Sequence, residues 1–469
     1  MNLAVFTTFL GQAGQVIEEK VIEKGIGDFA AEYSSKWDGG GEGGLFLAGA
    51  VRWLVETYTV PDWVPLSSVI NGTLGAETFP ELGGLLITIG MVFGFVNIFA
   101  IGAVWSERKV SAHMQCRLGP MEVGPHGLLQ TVADGLKLLT KEDIIPRLAD
   151  KTLFAIAPAV VFAGVLMRFV PLPFGDKLIA SDLDLGLFFI AAVGAVEVLG
   201  VIMAGWASNN KWSLFATIRT ATQMVSYEIP MSICVVIPII TAGSLNLNEI
   251  GGLQSGHLGN WIIFHDPFSF LAFFVYFVCA TASCKRAPFD LAEAESELVA
   301  GFLTEYSGFR WSFFFLAEYA SMFTVCGIAV LLFLGGWHTG IPGLDGILDG
   351  PRYGSDAYVW TWLTNALGFG VFFGKASVLV CVQIWVRWTL PRLRIDQVMM
   401  TCLKYLVPIS CVLFLGAVIW PLALSFSGKT TIWGTPTGER AAPTMRLESI
   451  SSPADQSPTA STSNGETGP

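Results

Sequence analysis

Apolar residues gather along this chain into eight runs, near 82–105, 152–172, 185–206, 229–248, 267–284, 311–337, 357–386 and 405–427. Each is close to the roughly 20 residues that cross a hydrocarbon core as a helix. The pattern predicts an all-α polytopic membrane protein, with eight transmembrane helices within residues 81–427. Residues 1–80 are mixed and partly acidic and read as an N-terminal extension; 44–70 suggests an interfacial helix rather than a span. No basic segment leads into a cleavable apolar core, so no secretory signal is expected. Residues 428–469 are rich in Ser, Thr, Pro and Gly and predict a disordered C-terminal tail.

One segment between the runs has helical rather than spanning periodicity. In "HGLLQTVADGLKLLTK", residues 126–141, Leu128, Leu129, Val132, Leu136 and Leu139 share one face. Gln130, Asp134, Lys137 and Lys141 share the other. The pattern predicts an amphipathic interfacial helix, serving either as a lipid-surface anchor or as a cavity wall.

Charge gives the orientation. The segments after the first, third, fifth and seventh runs hold sixteen Lys and Arg, among them Arg108, Arg117, Arg286, Arg387 and Arg392. The segments after the second, fourth and sixth hold only Lys177 and Arg352, with Arg168 near a span end. Excess Lys and Arg marks the cytoplasmic side, so both termini are expected on the opposite, periplasmic side. A net charge of -11 does not suit nucleic-acid binding. The eight cysteines form no CxxC pair and the five histidines are scattered, which argues against a metal, haem or iron–sulfur site in this chain.

Ionisable residues inside spans are costly and point to function. Glu197 falls in the third run, Glu228 at the start of the fourth, Glu318 in the sixth and Lys375 in the seventh. Next to the fifth run, Asp290, Glu293, Glu295, Glu297 and Glu305 place five carboxylates in sixteen residues. On a helix, Asp290, Glu293 and Glu297 form one stripe, where like charges repel unless they take up protons or meet cations. Acids so placed suit a wet, protein-enclosed cavity that passes protons between waters. A solvated acidic loop accounts for the charges but not for the flanking "RAPFD" and "LVAGF".

The motifs "ERK" (Glu107–Lys109), "QCRLGP" (Gln115–Pro120), "GWASNNKWSLFATIRTATQMVSYEIP" (Gly205–Pro230), "RAPFDLAEAESELVAG" and "RWTLPRLRIDQVM" (Arg387–Met399) follow one another in order. Through them the chain resembles the H-type, or chain 1, membrane subunit family of NADH:quinone oxidoreductase, respiratory complex I. The resemblance implies a membrane subunit without a redox centre, in a bacterial inner membrane. It would assemble with other membrane subunits and with an iron–sulfur peripheral arm that reduces a quinone, ubiquinone or menaquinone, entering from lipid. Carried over by motif, Arg108, Arg117, Asp134 and Lys137 line the entry, and Phe289 contacts the quinone. Asp290, Glu293, Glu297, Glu305, Glu228 and Glu318 are the proton-linked acids, and Arg387, Arg392 and Asp396 form a cytoplasmic ion-pair cluster. Arg286 is expected to neutralise Asp290 or Glu293. Family members often carry Glu where this chain has Ser283, so Glu197 is expected to maintain the acidic chain. The alternatives are the anchor subunit of a homologous membrane-bound hydrogenase or formate hydrogenlyase, and a secondary transporter. The latter predicts an inverted repeat, and none is seen.

Overall fold

A computed structural model describes residues 78–291, 298–348 and 357–426. The expected N-terminal extension, the interfacial helix at 44–70, the C-terminal tail, Glu293, Glu295 and Glu297 lie outside those residues. Among the described residues the chain is helical, with no strand. The main helices are α1 (Thr78–Met114), α2 (Gln130–Thr140), α3 (Lys151–Met167), α4 (Gly186–Ala207), α5 (Lys211–Ala242) and α6 (Pro267–Ser283). They continue with α7 (Gly308–Phe333), α8 (Ala357–Thr389), α9 (Ile395–Met400) and α10 (Val407–Phe426). A π-turn at Thr401–Leu406 joins the last two into one rod.

All eight apolar runs are helical, but they fall into two classes. Six helices are long and apolar enough to cross a membrane: α1, α4, α5, α7, α8 and the α9–α10 rod. α3 and α6 are apolar but have 17 residues each. The outward faces carry large apolar side chains such as Ile98, Phe188 and Val412, as a lipid-facing surface requires. The bundle is thus that of a membrane protein.

Buried surface identifies the central element. Of the apolar stretch of α7, 83% is buried inside the protein, against 28% for α1. Around α7 pack α1, α3, α6 and α8, and α4 and α5 close the bundle. Small residues allow the tightest approach: a side-chain carbon on Gly200 of α4 would stand 2.9 Å from the backbone nitrogen of Val161 on α3. A layer of phenylalanines, including Phe95, Phe99, Phe169, Phe174, Phe323, Phe372 and Phe373, fills the space between α1, α3, α7 and α8.

Helix starts follow local chemistry. Asp150 accepts from the amides of Thr152 and Leu153 at the head of α3, and Asn210 accepts from Trp212 at the head of α5. At α6, Asp266 caps Ser269 and Pro267 occupies the first turn. α5 begins 18 residues before the fourth apolar run, which places Glu228 mid-helix rather than at a span start. Its polar stretch is helical too, and the hydroxyls of Thr217, Thr220 and Thr222 are satisfied there by carbonyls four residues earlier.

The amphipathic segment is shorter than its pattern. Gly124 and Gly127 have φ of +74° and +73°, so 125–127 forms a separate 3-10 turn ahead of α2. The leucine face of α2 is exposed, with Leu136 and Leu139 more than half accessible.

Candidate functional site: a buried chain of ion pairs

The site begins at the turn after α6. Gln223 on α5 is buried, and its amide nitrogen donates to the carbonyls of Ala282 (2.8 Å) and Phe289 (2.7 Å). One side chain therefore ties both ends of the turn. Between these ties Lys285 adopts a left-handed backbone, φ +58°, which is uncommon for a residue with a side chain. Lys285 and Arg286 are thus sent inward in two directions.

Arg286 is 3% exposed and lies between two acids. Its Nη1 donates to Glu107 Oε1 at 3.1 Å and Oε2 at 3.0 Å. Its Nε lies 2.7 Å from Glu318 Oε1, and its guanidinium stacks 4.5 Å over the Tyr319 ring. Burial alone would lower the Arg286 pKa, but Glu318, Tyr319 and Glu107 hold it well above its ordinary value, so it stays charged. Glu107 also accepts from the Tyr319 hydroxyl at 2.6 Å and from Arg387 Nη1.

Lys285 reaches the other way. Its Nζ lies 3.3 Å from Glu197 Oε1, and Arg168 Nη2 lies 2.8 Å from Glu197 Oε2. Arg168 is buried and also donates to the Ser321 hydroxyl at 3.2 Å. A side-chain carbon on Gly194 would stand 3.3 Å from Arg168 Nη2 and 3.7 Å from Glu228 Oε1. Arg168 and Glu228 therefore converge on a gap that this glycine opens. Between the two halves is a cavity of about 20 Å³, lined by Glu197, Lys285, Glu318, Val161, Phe302 and Phe314 among others. That volume holds about one water. The order in space is Arg387, Glu107, Arg286, Glu318, the cavity, Lys285, Glu197, Arg168 and Glu228.

Some expected partnerships differ. Arg286 pairs with Glu107 and Glu318 rather than with Asp290, because the turn aims it across the bundle at α1 and α7. Asp290 pairs instead with Arg392 Nη2 at 3.1 Å. Arg387 turns inward to Glu107 while Asp396 sits exposed in the first turn of α9, so Arg387, Arg392 and Asp396 do not form one cluster. Phe289 is buried against Tyr227, with ring centroids 5.4 Å apart, and packs with Leu291, Val398 and Cys402. Glu305 accepts from the Asn210 amide at 2.6 Å, away from the chain of pairs. Arg117 is exposed and donates to Gln115 at 2.7 Å.

A second group lies at the head of the bundle. Arg108 Nη1 is 2.6 Å from Asp134 Oδ2, and Lys137 Nζ is 3.3 Å from Asp134 Oδ1, which fastens the polar face of α2 to α1. Lys375, the fourth in-span ionisable residue, donates to the carbonyls of Leu334 (2.6 Å), Gly336 (3.1 Å) and His338 (2.6 Å) and lies 4.2 Å over the Trp261 ring. It caps the far end of α7 and takes no place in the chain of pairs.

Glu107, Arg168, Lys285 and Tyr319 are site residues that sequence reasoning passed over. For Glu107 a signal existed: it opens the "ERK" motif two residues beyond the first apolar run.

Comparison with known proteins gives a consistent picture. Residues 87–418 match the family described as NADH dehydrogenase. The chain is 46% identical over 345 residues to the H-type subunit of the NADH-quinone oxidoreductase of Chlorobaculum parvum, covering 72% of this chain and 92% of the relative. It is 47% identical over 345 residues to the protein of the same name in Chlorobaculum tepidum, with the same coverage. To that of Geobacillus sp. it is 45% identical over 350 residues, covering 73% and 97%.

Proposed function

Since the chain belongs to the NADH dehydrogenase family, as the H-type membrane subunit of an NADH-quinone oxidoreductase complex, we propose that it forms the quinone access region where the membrane arm meets the peripheral arm. It links quinone reduction to proton translocation through its buried carboxylates. The observation that carries this reading is the run of alternating acids and cations from Arg387 to Arg168, broken by a water-sized cavity, with Glu228 beside its far end. The name shared by the relatives favours a quinone-linked role over a hydrogenase anchor.

Quinone reduction consumes two electrons and two protons, and the electrons come from an iron–sulfur partner. Charge that appears beside the hub acts on Glu107 and Arg286 first. At about 4 Å and an effective dielectric of about 20, one unit charge is worth about 4 kcal/mol. That is about three pKa units, enough to change the proton occupancy of a buried acid. A proton gained by Glu318 loosens its hold on Arg286, which then leans on Glu107. The cavity water passes the proton on toward the Lys285–Glu197 pair, and Arg168 transmits the change to Glu228. Alternation matters here: Glu107, Glu318 and Glu197 each lie between two cations, so charge can shift along the run without leaving those ions unpaired in the bundle.

The remaining topology follows the same proposal. At 1.5 Å per residue, 17 residues reach about 25 Å, the lower end of spanning length, so α3 and α6 complete eight spans. The excess of Lys and Arg supports a Glu107 hub near the cytoplasmic face, with both termini on the periplasmic side of a bacterial inner membrane. α2 lies in the interface, with its leucine face toward lipid and the quinone path. The charged tether Arg108–Asp134–Lys137 fixes its angle.

The test is Glu318→Gln in the native complex. Inhibitor-sensitive NADH:quinone reductase activity and dye-reported proton uptake in membrane vesicles should both fall at least tenfold, with the complex assembled. Wild-type values for both in the assembled variant would overturn the reading.

A further inference from the structure

Gln383 of α8 is 1% exposed, and neither its amide nitrogen nor its amide oxygen has a hydrogen-bonding partner among the described residues. Its position gives this a meaning. Phe372, Ala376, Val380 and Gln383 are all buried and recur at helical spacing, so they mark the inward face of α8. Arg387 continues that face one turn further on and bonds to Glu107. In the other direction, Phe372 packs against Phe323, with ring centroids 6.2 Å apart, and closes the space toward the far side. The unpartnered amide is therefore held between the ion-pair hub and an aromatic floor.

The hub offers complementary groups. Arg286 Nη2 is buried and has no partner, although Nη1 of the same guanidinium is engaged. Residues four apart on a helix are neighbours, with Cβ atoms about 5–6 Å apart, so the Gln383 amide and the Arg387 guanidinium project from one face within reach of a shared water. A primary amide supplies both donor and acceptor, and so does a water. A cation would face the guanidinium groups, and an apolar molecule would leave the amide unmet.

We propose that Gln383 holds a buried water against the Arg387–Glu107 pair, as a positioning residue that gives the chain of ion pairs a second proton branch along α8. The branch ends at the phenylalanine floor, so it serves as a side reservoir from which Glu107 exchanges a proton, not as a path across the membrane. This role rests on the proposed coupling function of the chain; the water site itself does not.

The experiment compares Gln383→Met, Gln383→Glu and Glu318→Gln in the assembled complex. Methionine has a similar shape and only a weakly accepting sulfur, so the variant should assemble, with a melting temperature near that of wild type. Proton uptake per NADH oxidised should nevertheless fall severalfold in Gln383→Met and be retained in Gln383→Glu. A density map that resolves waters should show one within about 2.7–3.2 Å of the Gln383 amide, and none at that point in Gln383→Met. A map without that water overturns the site, and an unchanged uptake ratio in Gln383→Met overturns the branch. Should Glu318→Gln keep full coupling, the ion-chain reading and the branch fall together, while the map still decides the water site.

Discussion

Arg286 and Glu107 stand 179 residues apart in sequence, yet both carboxylate oxygens of Glu107 accept from one nitrogen of Arg286. The pair joins the turn after α6 to α1, and through Tyr319 and Arg387 it gathers α7 and α8 as well. Both partners are buried. Removing Arg286 leaves Glu318 without its ion partner, and removing Glu107 leaves Arg387 without its own, at a cost of up to about 3–5 kcal/mol. Arg286→Ala should lower the melting temperature of the purified complex and reduce quinone reductase activity in what still assembles. Glu107→Gln should do the same and leave two arginines facing a neutral amide. Normal melting in both single variants would show that the hub is solvated and weak.

Glu197 holds Arg168 at 2.8 Å and Lys285 at 3.3 Å while only 2% exposed. Glu197→Gln should therefore impair turnover and pumping, and should also destabilise the complex by taking the carboxylate partner from buried Arg168 and partly buried Lys285. The double variant Glu197→Gln with Lys285→Met removes one of those cations. It should recover part of the lost thermal stability and none of the pumping. A double variant that melts lower than the single one would contradict the pairing.

Helix packing makes a purely steric prediction. A methyl group on Gly200 would meet Val161 Cγ2 at 2.5 Å and its backbone nitrogen at 2.9 Å, and backbone cannot rotate away. Gly200→Ala should push α3 from α4, with an overpacking cost of about 1–3 kcal/mol. The movement would disturb Glu197, three residues earlier on α4. The check is the amount of assembled complex in membranes by native gel, with Gly252→Ala as the comparison, since nothing lies within 4 Å of that position.

The helices were legible because crossing a hydrocarbon core needs a long apolar run, and each of the eight runs is helical here. Their boundaries were less so. Lys211–Glu228 reads as a polar segment, yet its threonines bond back to the helix and α5 continues through it. The carboxylates were visible as improbable residues in an apolar chain. Their partners were not, because pairing is settled by how a turn aims its side chains. Arg286 is four residues from Asp290 and pairs elsewhere, whereas Arg392, 102 residues away, takes that role. Glu107 was missed because the first apolar run ends before it, although α1 continues to Met114.

Asp134 bears on pH. Partial burial raises its pKa, but the hydrogen bonds and charges of Arg108 and Lys137 outweigh this and hold it below the ordinary carboxylate value. A carboxyl depressed in the folded state stabilises above its unfolded pKa, about 3.9, and loses that contribution as pH falls through the lower folded value. The tether of α2 therefore stays charged across about pH 5–8. Asp134→Asn should leave the shape of the activity–pH curve unchanged over that range. It should raise the KM for quinone by up to about fivefold, as loss of a partly exposed pair worth about 1 kcal/mol implies. A moved acid limb in this variant would assign Asp134 a titrating role that its environment does not support.

Lys375 provides the contrast case. It is an ionisable residue within a span, and the expectation for such a residue is function. Its three donated hydrogen bonds all end on carbonyls just beyond α7, and its charge rests on the Trp261 ring. The Leu334 carbonyl is one of the acceptors that a helix end leaves unmet, the other two belong to the turn just past it, and a cation there also opposes the helix dipole. Lys375→Met should thus strip three acceptors of their partner and reduce the yield and melting temperature of the complex. Turnover and proton uptake per assembled complex should remain within about twofold of wild type, because no member of the ion chain touches Lys375. Normal assembly with lost proton uptake would instead place Lys375 among the coupling residues, and would require a proton path along the far half of α8.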